Sequence, residues 1–284
     1  MNDKLRKIIS VVLILILIPS LVMYIWQKRD KEISEEVYEN AVNIALNKNT
    51  TPAPVTEAEP TPTPTPTPEV EKVWIPAPIE NPEEDPNLTM MEEIDLNALR
   101  EINPDVVGWI FIPDTKINYP IVQGEDNAFY LKNTWEKKRN YAGAIYLECR
   151  NSPDFTDFNT IVYGHNLKND AMFGQLGNFK RQAYWEEHPY VYIRTDNDVF
   201  RYEIFSTYEA NIGDPPYGLS FYQKKTRVAF LEYAKENNQL VTEIEPKNAD
   251  RILTLSTCSN NDEIRRVVQA RLLMIRVAVD SLEE

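Results

Sequence analysis

Cysteine and histidine are scarce in this chain, with two of each in 284 residues. Two histidines and two widely separated cysteines give no metal-ligand spacing, and a lone pair of thiols is not a disulfide scaffold. Only eight glycines are present. None forms a Gly-rich phosphate loop, and no G-x-S-x-G elbow marks a serine triad. Positive charge is also short: 30 Lys and Arg stand against 44 Asp and Glu, for a net charge of −14. No basic stripe exists to neutralise phosphates, which argues against nucleic acid as a partner. Between Thr50 and Asp95 eleven acidic residues face one lysine, Lys72, so the surplus of negative charge sits in one segment and the region beyond it is close to neutral.

Uncharged apolar runs are equally rare, and the one long example is at the N-terminus. Residues 8–26 carry no charge, a length that as helix crosses a bilayer core. No small-x-small cleavage site follows, so the expectation is an uncleaved anchor rather than a signal peptide. Lysine and arginine flank it on both sides, so charge bias does not orient it. Residues 1–7 form a short tail before it. Residues 27–48 repeat apolar groups at helical spacing (Ile33, Val37, Ala41, Ile44, Ala45), which predicts a juxtamembrane helix. Eleven of the twenty prolines fall between Pro52 and Pro86, partly as alternating Thr-Pro. Residues 49–90 are therefore read as an extended, acidic Pro/Thr-rich linker.

The remaining residues, 91–284, read as one globular domain. A short helix is expected over 94–102. Strands are expected over 106–112, 116–122, 143–147, 160–163, 191–194, 200–208, 252–257 and 266–275, from β-branched alternation bounded by turn residues. Pro120 suggests an edge or bulge position. Helices are expected over 171–177 and 226–238. Many short strands with few helices predict a mainly β fold with helices (α+β), closed or nearly closed as a barrel.

Three residues could carry chemistry. Cys258 ends the strand-like run Arg251-Ile-Leu-Thr-Leu-Ser-Thr257 and precedes the turn composition Ser259-Asn-Asn-Asp262, where the Ser259 N–H could face an oxyanion. A small buried hydrophobe is the alternative reading of such a cysteine. His165 follows the strand Thr160-Ile-Val-Tyr-Gly164; an ordinary loop histidine is its alternative. His188, between acids and a proline, has that ordinary reading more strongly. A six-residue connection leads from Cys258 to Arg265, so their strands should be antiparallel neighbours and Arg265 should return beside the thiol, with Arg266 on the other face. Thiol, imidazole and guanidinium together suffice for acyl transfer: nucleophile, proton shuttle and oxyanion donor. Cys149 and Cys258 are expected as two separate thiols.

These motifs resemble the sortases, cysteine transpeptidases of Gram-positive-type cell walls. The resemblance spans about Ile94 to Ile275 and rests on the segment Val107–Gln123, Tyr163-Gly-His-Asn166, Leu255-Ser-Thr-Cys258 and Arg265-x-Val-Val. The Thr254-Leu-Ser-Thr-Cys258 form, the preceding helix and the helical insertion before the last strands look like class B. The resemblance implies a closed eight-stranded barrel with an N-terminal helix. It implies that Cys258 is the nucleophile, His165 the general acid/base and Arg265 the oxyanion donor, with no cofactor. Asn127, Leu131, Tyr217 and Ser256 resemble substrate-groove positions, and Ser259 borders them. The implied reaction cuts a C-terminal sorting signal of Asn-Pro-x-Thr-Asn or (Ser/Asn)-Pro-x-Thr-Gly type after Thr, then passes the secreted protein to an amine of a peptidoglycan precursor. The implied location is the cell membrane, single-pass, with the catalytic domain extracytoplasmic. Two other readings share parts of this pattern: a non-catalytic wall-spanning display module, and a cysteine peptidase that releases its product to water.

Overall fold

The computed structural model describes residues 3–46, 85–258 and 263–277, with backbone only at 3–14, 25–27, 30, 258 and 277. The chain begins with a long helix α1, Asp3–Ala45, followed after the linker by short helices α2, Pro86–Glu92, and α3, Leu96–Arg100. The strands are β1 Val106–Phe111, β2 Asn118–Val122, β3 Ile145–Leu147, β4 Asn159–Gly164, β5 Tyr190–Arg194, β6 Asp198–Asn211, β7 Ile252–Cys258 and β8 Ile264–Val277. Helix α4, Gln182–Glu187, precedes β5, and helix α5, Lys224–Asn237, lies between β6 and β7. The strands close in the order β1-β2-β3-β4-β7-β8-β6-β5. Only β2/β3 and β4/β7 pair in parallel. All eight expected strands form, and closure leaves no edge to cap. Pro120 stands opposite Trp109 but ahead of the first β2 residue paired with β3, so its missing N–H is not needed on that flank.

Strand alternation builds two layers. On β7, Leu253 and Leu255 point inward with Val162, Val268 and Ala270 into the main core. Ile252 faces out, with Val267 and Tyr208, beneath Phe230 and Ala234 of α5. The same outward face of β7 carries the hydroxyls of Thr254 and Ser256. Helix α5 therefore covers part of the face that also holds the end of β7.

Three segments differ from the sequence reading. Residues 86–90, assigned to the linker by composition, form most of α2: the Asp85 side chain caps it, accepting from Asn87 N at 3.0 Å, with Pro86 at its first turn. The expected helix over 171–177 is instead a 3₁₀ segment, Gly174–Lys180, followed by α4. Asp170 and Met172 adopt positive φ, and two glycines weaken any α-helix there. Third, the expected juxtamembrane helix is continuous with the upstream run in α1 and packs on the barrel. Val37, Tyr38, Ala41 and Ala45 are buried, and Asp95 N donates to Ala45 O at 2.8 Å. The anchor expected over 8–26 falls on α1, where Leu15–Ile18 and Leu21–Tyr24 are exposed. Among the described residues no helix is long and apolar enough to cross a membrane.

Asp85 also ties α2 to the barrel, accepting from Tyr192 Oη at 2.7 Å and Arg201 Nη1 at 3.0 Å. Burial alone would raise its pKa, but these bonds outweigh it and hold the carboxyl below its ordinary range. A folded-state pKa below the unfolded one stabilises above the ordinary carboxylate range, and the gain is lost as pH falls through the depressed value. Asp85→Asn should therefore lower the melting temperature at neutral pH and flatten the acid side of a melting-against-pH curve. An unchanged acid limb would show that Asp85 does not contribute.

Candidate active site

The backbone register alone assembles a row of three residues. β4 and β7 run parallel with Tyr163 opposite Ser256 and Gly164 opposite Thr257, so one residue further His165 stands level with Cys258. β7 and β8 run antiparallel, with Cys258 directly opposite Arg265. Positions 165, 258 and 265 thus lie side by side at the ends of three adjacent strands, about 5 Å apart per strand. Arg266, opposite Thr257, alternates to the other face. It is buried there, donating to Glu209 Oε1 at 2.7 Å and Gln239 Oε1 at 2.8 Å.

His165 is fixed by backbone on several sides. Its Nε2 lies 2.6 Å from the Leu131 carbonyl oxygen. That oxygen can only accept, so Nε2 carries the hydrogen and Nδ1 is the unprotonated nitrogen of the neutral ring. The His165 carbonyl accepts from Phe173 N at 2.9 Å. Gly143, at φ +59°, backs onto the ring: a Cβ there would stand 2.8 Å from His165 Cδ2, 2.7 Å from Tyr130 O and 2.9 Å from Leu131 O. Leu131, expected as a groove residue, therefore touches the imidazole through its carbonyl. His188 does sit apart: its Nδ1 is 3.0 Å from Pro113 O and its ring packs on Tyr184.

Beside the row, one step back along the strands, lies a polar floor. Tyr217 Oη and Ser256 Oγ are 3.0 Å apart. The turn carrying Tyr217 is pinned to β4, because Asn159 Nδ2 donates to Pro216 O at 2.9 Å and Gly218 O at 3.0 Å. Asn159 in turn accepts from Thr254 Oγ1 at 2.6 Å. On the β3 side the buried Glu148 carboxylate accepts from Asn127 Nδ2 at 2.7 Å, Tyr163 Oη at 3.0 Å and Arg150 Nε at 2.7 Å. Burial alone would raise the Glu148 pKa; these donors outweigh it and hold the pKa below the ordinary value. Burial, then the Glu148 charge, pushes the Cys149 thiol the other way, up, which makes it a poorer nucleophile at neutral pH. Cys149 is a free thiol. Ser259 lies outside the described residues, as does the side chain of Cys258. Among the described residues no group of three or more His, Cys, Asp or Glu could hold a metal ion.

The sequence reading missed Glu148, Gly143 and Tyr38. Tyr38 belongs to α1, and its hydroxyl donates to Gly143 O at 2.5 Å. One signal was available for Glu148: Tyr163 precedes His165 by two, so both share a strand face, and a polar partner was needed for a phenol held there.

Positions 165, 258 and 265, level with one another in the strand register, carry the residue types that acyl transfer needs, and the chain can be compared with known proteins. A family model described as Sortase domain matches residues 110–273. The sortase B of Listeria monocytogenes is 32% identical over 182 residues, covering 63% of this chain and 74% of the relative. The solved Staphylococcus aureus sortase B–substrate complex superposes with a TM-score of 0.60 at 30% identity, covering 62% of this chain and 83% of that one. A sortase B complexed with triglycine superposes at 0.59 and 30% identity, covering 64% and 85%.

Proposed function

This chain belongs to the sortase family of cysteine transpeptidases, and we propose that Cys258 is its nucleophile, His165 its proton shuttle and Arg265 its oxyanion donor. The register row that sets 165, 258 and 265 side by side carries this reading. The Cys258 thiolate attacks the carbonyl carbon of a threonine in the substrate, forming a sulfur–carbon bond. Negative charge gathers on the carbonyl oxygen, where the Arg265 guanidinium meets it. As the carbon–nitrogen bond breaks, imidazolium His165 gives its Nδ1 proton to the leaving amine. The thioester is then attacked by an acceptor amine, neutral His165 takes that amine's proton, and the thiolate departs.

The substrate we assign is a secreted protein with a C-terminal sorting signal of Asn-Pro-x-Thr-Asn or (Ser/Asn)-Pro-x-Thr-Gly type, cut after Thr. The acceptor is an amine of a peptidoglycan precursor of the lipid II kind. The solved relatives bound to substrate and to triglycine support a peptide donor and an amine acceptor. Asn127, Tyr217 and Ser256 would line the donor groove, with Leu131 and Ser259 at its border. The uncharged run 8–26, partly exposed on α1, supports a single membrane anchor, with 1–7 inside and the catalytic domain outside, packed on the C-terminal part of α1.

The test incubates purified protein with quenched peptides carrying each signal and looks by mass spectrometry for an acyl adduct, with Cys258→Ala as control. An adduct on Cys258 that an added amine discharges faster than water does is expected. An adduct discharged equally fast by water would make the protein a peptidase instead. An adduct on Cys149, or one that survives in Cys258→Ala, would overturn the assignment.

A further inference from the structure

Helix α1 does more than tether the domain. Its buried Tyr38 donates to Gly143 O at 2.5 Å, and Gly143 is the residue whose Cα leaves no room for a methyl group against His165 and Leu131 O. A second contact reaches the loop after His165. The Tyr38 ring packs edge-on against Tyr119 at 5.2 Å, and Tyr119 Oη accepts from Met172 N at 3.1 Å. Met172 pairs with Asn166 and precedes Phe173, whose N–H holds the His165 carbonyl. A third contact, Asn169 Nδ2 to Glu35 Oε1 at 3.3 Å, ties the same loop to α1. Both backbone segments that enclose the imidazole are therefore attached to one face of α1.

We infer that Tyr38 is a positioning residue for His165, acting through Gly143 to hold the Leu131 carbonyl at the ring's Nε2. The inference rests on the reading of His165 as the proton shuttle. Burial raises the Tyr38 phenol far above its ordinary range, so it stays a donor at every pH at which the protein works. Removing the hydroxyl while keeping the ring leaves the Tyr119 packing in place and frees the Gly143 peptide. The imidazole then samples orientations in which Nδ1 is misaligned, which affects proton transfer and not peptide binding.

The experiment uses the full chain with Tyr38→Phe. Turnover should fall about fivefold, the size of one neutral hydrogen bond, with KM unchanged. The chain has two histidines, so the second readout is direct: in ¹⁵N-histidine-labelled protein, the His165 Nε2–H resonance should shift and exchange faster with water. His188, whose Nδ1 lies 3.0 Å from Pro113 O, should not move and serves as internal reference. An unmoved His165 resonance overturns the inference, as does a moved resonance with unchanged turnover. A rise in KM with constant kcat also overturns it, because that places Tyr38 in substrate binding. Failure of the underlying reading is separate: it would appear as near-normal turnover in His165→Gln, whatever Tyr38→Phe does to the resonance.

Discussion

Arg265→Ala should lower turnover by about 10²- to 10³-fold, the usual loss for one oxyanion donor, with little change in melting temperature. Its neighbour should behave in the opposite way. Arg266→Ala removes a buried guanidinium from Glu209 and Gln239 and should cost about 1 to 2 kcal/mol of stability, or about 2 to 8 °C in a domain of this size, while turnover per folded molecule stays near normal. The contrast follows from strand alternation: Arg265 stands opposite Cys258 and Arg266 opposite Thr257, on the other face. Arg265→Lys should fail nearly as badly as alanine, since an ammonium lacks the planar fork that can meet thiolate and oxyanion together. Steady-state kinetics and thermal melts on the three variants decide the matter. Near-normal turnover in Arg265→Lys would remove the arginine from the mechanism, and an equal melting loss in both alanine variants would reduce it to a structural residue.

The second large effect is expected at Gly143. An alanine there meets two separate obstacles. The backbone sits at φ +59°, where a Cβ costs about 1 to 2 kcal/mol. The new methyl would also stand within 2.9 Å of Tyr130 O, Leu131 O and His165 Cδ2. The two oxygens belong to the 3₁₀ turn Phe129–Leu131, anchored by Ala144 N donating to Tyr130 O and by the buried Tyr130 ring. The imidazole is the softer neighbour and should yield. A displacement near 1 Å can cost about 10²-fold in rate, so Gly143→Ala should combine that loss with a lower melting temperature. Turnover within about twofold of the parent would mean that His165 tolerates displacement and that its placement is not critical.

The strands were legible because each is a β-branched run between turn residues. The Cys258–Arg265 juxtaposition was legible because a six-residue connection between two strands makes them antiparallel neighbours. The place of His165 was not derivable in the same way. It depends on parallel pairing of β4 with β7, whose partners Tyr163 and Ser256 are far apart in sequence and share no local signal. The polar cluster around Glu148 shares this difficulty. Asn127 and Tyr163 meet only at the Glu148 carboxylate, and nothing local in the sequence of any of the three announces that meeting. Helix α2 was hidden by its setting: Asp85-Pro86 is a helix-start signal, but it stands at the end of a proline-rich tract. Nor did apolar spacing in α1 reveal its partner. It predicted a helix correctly without showing that Tyr38 reaches into the barrel.

The parallel pairing of β4 with β7 also has a consequence in time. A chain made from its N-terminus exposes His165 long before Cys258 exists. Pairing between segments so distant in sequence closes a large loop and belongs to the slow part of folding. The row of positions 165, 258 and 265 therefore cannot form on an incomplete chain. A truncated or half-emerged product lacks the proposed centre, which is assembled only with the last two strands.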